Sequence, residues 1–134
     1  MERTAQCHCG ALRAIATGEP AAVVMCSCEA CQRRSGSVAG FGAYFPKEAV
    51  RVEGASKVYV RTADSGNKLF FHFCPECGSN VYWLLELRPN LCGVAVGGFA
   101  DPAFPAPSHS VWEGTRHGWI EAPASAQRFE SNRH

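Results

Sequence analysis

Eight cysteines in 134 residues constrain this chain more than any other feature, because seven of them fall in tight groups. The groups are Cys7-His8-Cys9-Gly10, Cys26-Ser27-Cys28-Glu29-Ala30-Cys31 and Cys74-Pro75-Glu76-Cys77-Gly78, with Cys92 alone. Such a chain folds around disulfides or around metal, and the compartment decides which. The opening MERTAQCHCG has no apolar stretch and no small-residue cleavage site, and no run approaches the roughly 18 apolar residues that span a bilayer. A cytoplasmic protein with reduced thiols is expected, and its clusters are expected to hold metal.

Two thiolates two residues apart chelate one ion when the backbone turns tightly between them. Pro75 pre-sets φ in the Cys74–Cys77 turn, and Gly78 permits the positive φ that closes it. Cys7 and Cys9, also followed by glycine, bring the total to four thiolates, the complement of a closed tetrahedral zinc. That chelate would tie the N-terminus to a hairpin roughly 65 residues away, closing a long loop in a small domain. A thioredoxin-like role for the CxxC pair needs a βαβ context that the sequence lacks. His8, between two ligands, is expected to be an exposed side chain.

Cys26, Cys28 and Cys31 span the end of an expected strand and the first turn of an expected helix. Three sulfurs from one local segment can reach one metal, and the helix N-terminus favours thiolate over thiol. Structural zinc sites use four protein ligands, whereas catalytic ones keep three and leave one position open. Cys92 lies in the apolar run Leu91-Cys92-Gly93-Val94 and reads as a core residue. His72 and His109 are the other candidates to complete the shell, and each also reads as a structural strand histidine. Three thiolates on Zn²⁺ make a net negative unit, a weak Lewis acid for water but a suitable holder of an exogenous thiolate. Thiol transfer to or from a small carbonyl is the chemistry implied.

Outside the clusters the chain reads as short strands: residues 11–17, 21–26, 38–45, 50–52, 57–61, 68–74, 80–85, 91–96 and 108–112. Regular spacing and Gly or Pro punctuation predict one antiparallel, mainly β domain over residues 1–122. The single helix is expected at 28–35, with Ser27 as N-cap and Gly36 as terminator. Residues 100–107, rich in proline, should form an exposed connection, and the polar tail 123–134 is expected to be partly disordered. A net charge of +1 from 13 basic and 12 acidic residues, with no basic cluster longer than Arg33-Arg34, predicts neither a nucleic-acid nor a membrane partner.

The ordered set Cys7-x-Cys9-Gly10, Cys26-x-Cys28-x-x-Cys31, Gly36-Ser37, Phe73-Cys74-x-x-Cys77-Gly78-Ser79 and His109…Trp119 resembles the glutathione-dependent formaldehyde-activating enzyme family, also called the centromere protein V/GFA domain. The resemblance covers residues 4–122. It implies an Mss4-like fold of twisted antiparallel β-sheets with two zinc ions. One ion would be structural, on Cys7, Cys9, Cys74 and Cys77. The other would be catalytic, on Cys26, Cys28 and Cys31, with its open place for the thiol of glutathione. The activity implied is a carbon–sulfur lyase joining glutathione, or another small thiol, to formaldehyde or a small aldehyde. Glutathione carries two carboxylates, so Arg33 and Arg34, followed by Lys68, are the candidate binding cations. His109, Tyr44 and Tyr82 are candidate general acids. The competing readings are a non-catalytic, zinc-stabilised protein-interaction module and a thiol redox sensor. The oligomeric state is not encoded in any motif.

Overall fold

The computed structural model describes residues 1–132; the last two residues of the expected tail lie outside that range. Eleven strands are found among the described residues: β1 (Glu2–Gln6), β2 (Arg13–Thr17), β3 (Ala22–Cys26), β4 (Gly40–Pro46), β5 (Val50–Glu53), β6 (Lys57–Thr62), β7 (Lys68–Phe73), β8 (Asn80–Leu85), β9 (Leu91–Ala95), β10 (His109–Val111) and β11 (Gln127–Arg128). One helix, α1 (Glu29–Ser35), follows β3. The strands form a small sheet in the order β1-β2-β5 and a large one in the order β11-β10-β3-β4-β9-β8-β7-β6. The fold is mainly β, as the strand spacing predicts, with β1 added: its sequence ERTAQ buries only Ala5 and shows no apolar alternation.

Two departures lie at one edge of the large sheet. There β10 runs parallel to both β3 and β11, so the sheet is not wholly antiparallel. The segment expected to be a disordered tail supplies β11 and buries Ala126 against Met25, Ala39 and Ala122. Its anchor is backbone pairing, with Gln127 N–H donating to Ser108 C=O and Phe129 N–H to Ser110 C=O, and side-chain polarity does not report that. The proline-rich connection is likewise not wholly exposed, because Phe104 stacks on Phe99 with centroids 4.6 Å apart.

Strand alternation gives the large sheet two different faces. On one, the cross-strand rows Val23–Ala43–Val94–Tyr82 and Phe45–Cys92–Leu84 meet Leu12, Ala14, Ala16 and Ala5 from the small-sheet side. Fully burying a side chain such as Phe45 or Leu12 is worth about 1.5–3 kcal/mol, so this layer holds the two sheets together. Cys92 belongs to it, as the sequence predicts.

The other face carries Val24, Gly42, Gly93, Trp83 and Phe71 along paired positions. Trp83 lies flat over two glycines. A Cβ on Gly93 would stand 2.2 Å from the indole Nε1, and one on Gly42 would stand 2.6 Å from Cζ2. The absence of side chains at these two positions is what lets the indole form a floor.

Candidate metal centre and active site

The first cluster joins the β1–β2 loop to the β7–β8 loop. Cys7 N–H donates to Leu12 C=O and Gly10 N–H to Cys7 C=O, while Gly78 N–H donates to Cys74 C=O. Gly10 and Gly78 have φ of 82° and 80°, the left-handed conformation that closes each turn. The four sulfurs lie within 4.8 Å of one another, with Cys7–Cys9 and Cys9–Cys74 separations of 3.7 Å. A tetrahedron with metal–sulfur bonds of about 2.3 Å has edges of about 3.8 Å, so the donor set fits a single ion. None of the eight cysteines is disulfide-bonded. Backbone N–H groups of Leu12 and Glu76 point at the sulfurs of Cys7 and Cys74. The Ser79 hydroxyl and N–H hold the Cys77 thiol down at about 5. Cys9 accepts from the Ala11 N–H, yet Cys7 and Cys74 push it up to about 11. His8 is exposed and joins neither cluster.

The second cluster is Cys26, Cys28 and Cys31, again within 4.8 Å. Cys26 ends β3, and Ser27 N–H is still bonded to Val111 C=O on β10. That bond keeps Ser27 in the sheet, so it is not the helix cap. Cys28 is the N-cap instead, its sulfur accepting from Cys31 N–H at 3.3 Å. Hydrogen bonds from Cys26 and then Cys31, the Cys31 backbone N–H and the charge of Arg61 draw the Cys28 thiol down to about 2. Sharing hydrogen with Cys28 pushes Cys26 strongly upward. The pull on Cys28 favours the thiolate form, which is the form that ligation requires. As expected, α1 ends at Gly36, with φ of 68°.

Cys26 and Cys31 open onto a cleft floored by Trp83 and Phe71, with Tyr44, Arg34 and Arg61 also lining it. It encloses about 50 Å³, room for a few water-sized groups. Arg34 lies over both rings, 4.8 Å from the centroid of Phe71 and 4.7 Å from that of Trp83, and donates to Asn80 Oδ1. The Tyr44 hydroxyl accepts from Trp83 Nε1–H at 3.2 Å, and burial pushes its pKa up to about 12.

The two candidate arginines separate. Consecutive helical residues point about 100° apart, and Arg33 faces solvent beside Glu29 at 3.9 Å, lining a different groove with Gln32, Arg116 and His117. Lys68 is exposed and off the cleft, which its neighbour Leu69 lines instead. Cys92, His72 and His109 join neither sulfur cluster. His72 stacks on Tyr82 at 4.4 Å, and its Nδ1 lies 2.9 Å from the Ser56 hydroxyl. His109 stacks on Phe129, with Nδ1 2.8 Å from the Ser108 hydroxyl. Of the three candidate acids only Tyr44 lines the cleft. Arg61, Trp83, Phe71 and Gly42 escape sequence reading, because only the register through β6, β7, β8, β9 and β4 gathers them. The alternation of Tyr59 and Arg61 in β6 assigns them to one face without naming it.

Fold and site together define a mainly β protein with two cysteine clusters suited to metal, one closed and one open onto an aromatic cleft. The profile of the glutathione-dependent formaldehyde-activating enzyme family matches residues 2–115, and the chain belongs to that family. The crystal structure of a Rhodobacter sphaeroides protein has a similar fold, with a TM-score of 0.56 at 24% identity over 74% of this chain and 91% of that one. No curated protein is significantly similar to the chain. Among the described residues, no helix is long and apolar enough to cross a membrane.

Proposed function

We propose that the chain is a zinc-dependent carbon–sulfur lyase that joins glutathione, or another small thiol, to formaldehyde or a small aldehyde and releases them in reverse. One observation carries the reading: the Cys26, Cys28 and Cys31 cluster has three sulfurs and a cleft, whereas the Cys7, Cys9, Cys74 and Cys77 cluster has four and is complete. Cys7, Cys9, Cys74 and Cys77 would hold a structural zinc, and Cys26, Cys28 and Cys31 a catalytic one. Zinc on three thiolates supplies a place where an incoming thiol is held deprotonated and nucleophilic. The thiol loses its proton to bulk water on binding, its sulfur forms a bond to the carbonyl carbon, the carbonyl π pair moves to oxygen, and that oxygen takes a proton that bulk water later restores to the donor. Tyr44 is the donor on this face: it stays protonated at neutral pH, and accepting from the Trp83 indole leaves its own hydrogen to give. Trp83 and Phe71 exclude water and limit the electrophile to a few atoms. A reducing cytoplasm suits the eight free thiols.

Zinc quantification with X-ray absorption tests the proposal. Two zinc ions per chain are expected, and the mean sulfur count around zinc should rise when glutathione is added, together with exchange of a formaldehyde adduct seen by NMR. A fourth protein ligand on the second cluster, or no change in sulfur count, overturns it.

A further inference from the structure

Arg61 is half-buried on β6 and lines the same cleft as Cys26 and Cys31. The other arginines lining or flanking that cleft each have a side-chain partner. Arg34 is held by Asn80 and lies across two rings, and Arg33 faces Glu29 in solvent. Arg61 has neither an ion pair nor a side-chain hydrogen bond among the described residues. No carboxylate lines the cleft, so the cysteine sulfurs are the anionic groups that the two guanidinium groups face there, Arg61 acting on Cys28 and Arg34 on Cys31. Formaldehyde needs no cation there. A guanidinium at the edge of such a space matches a carboxylate, which it binds through two parallel N–H donors.

We infer that Arg61, with Arg34 fixed behind it on the Trp83–Phe71 floor, is the carboxylate-recognising residue that selects the substrate at the second cysteine cluster. This rests on the lyase reading above. It predicts an anionic substrate, whose carboxylate belongs either to the thiol or to the carbonyl partner. Arg61 is a specificity residue and takes no proton in the reaction.

The test uses the zinc-loaded protein and titration calorimetry, with glutathione, its uncharged diester and 2-mercaptoethanol as probes. Arg61→Gln should weaken glutathione about 10- to 100-fold, the usual worth of a charge-assisted hydrogen bond, and shift the diester and 2-mercaptoethanol less than about twofold. Arg61→Lys should recover part of the loss, because the charge returns without the fork. If the carboxylate sits on the carbonyl partner, the same selectivity appears between glyoxylate and formaldehyde with a single thiol, while glutathione and its diester bind alike. Equal losses for charged and uncharged probes in both arms would make Arg61 a counter-charge to the thiolates and overturn the inference, as would no loss at all. Zinc content of the variants, measured in parallel, reports the counter-charge role directly. Selective binding without carbon–sulfur bond formation would sink the lyase proposal and leave the subsite standing; turnover without selectivity would do the reverse.

Discussion

Glycine at positions 42 and 93 matters through what it lacks. Both sit beneath the Trp83 indole, at distances no Cβ can occupy without displacing backbone or ring. Gly93→Ala should therefore lower stability by about 1–3 kcal/mol in urea denaturation, as overpacking does elsewhere, and should weaken thiol binding by lifting the cleft floor. Tyr44 makes a second prediction at this scale. Tyr44→Phe removes the hydroxyl that Trp83 donates to, with a stability cost of about 1 kcal/mol. If it supplies the proton, kcat should fall at least about 100-fold in steady-state assays while thiol affinity is kept. The local groupings Cys7–Cys9, Cys26–Cys28–Cys31 and Cys74–Cys77 were legible from spacing, since cysteines two or three residues apart can hardly avoid one another. The partners of Trp83 were not, because they come from strands 40 residues up the chain and 10 down it.

At the scale of elements, α1 is only seven residues long, too short to hold itself in water, so contacts must fix it. Gln32 is the main clamp: its Nε2 donates to Ser27 C=O at 2.9 Å and to Thr115 C=O at 3.3 Å, and its Oε1 meets His117 Nε2 at 3.0 Å. Thr115 adds a hydroxyl bond to the same Ser27 carbonyl at 2.9 Å. This ties the cysteine segment to the loop after β10. Gln32→Ala should loosen the segment that carries Cys26, Cys28 and Cys31 and lower zinc affinity at the second cluster by up to about 10-fold, less than the roughly 10- to 100-fold of a partner bonded directly to a ligand. Competition with a chromophoric chelator should show the first cluster unchanged. The helix itself was readable from its Gly36 terminator, but its cap was not. Ser27 has the better capping chemistry, and pairing to β10 holds it elsewhere.

For the whole molecule, the first cluster lies between sheets, with Cys7 and Cys9 beside the small sheet and Cys74 and Cys77 at a turn of the large one, so a metal held there would act as a clasp. Structural zinc contributes about 10–16 kcal/mol in small metal-dependent domains, comparable with the roughly 5–15 kcal/mol total stability of a domain. Cys74→Ser should therefore abolish the cooperative thermal transition. Cys28→Ser should keep a folded protein with one zinc in place of two, because the second cluster is built on a single local segment. Circular dichroism melts and zinc stoichiometry on both variants check this.

The sequence by itself determined the local cysteine groupings, the mainly β class, the strand positions from β2 to β10 and the core placement of Cys92. Each of these follows from local spacing or from alternation along one strand. Tertiary structure alone decided which arginine enters the cleft, that Arg61 joins it, that β10 runs parallel to β3, and that the C-terminal residues form β11. Those outcomes depend on strand register and helix azimuth. Both are set by the summed packing of distant segments, and a one-residue slip or a rotation of about 100° reverses which side chain faces the site.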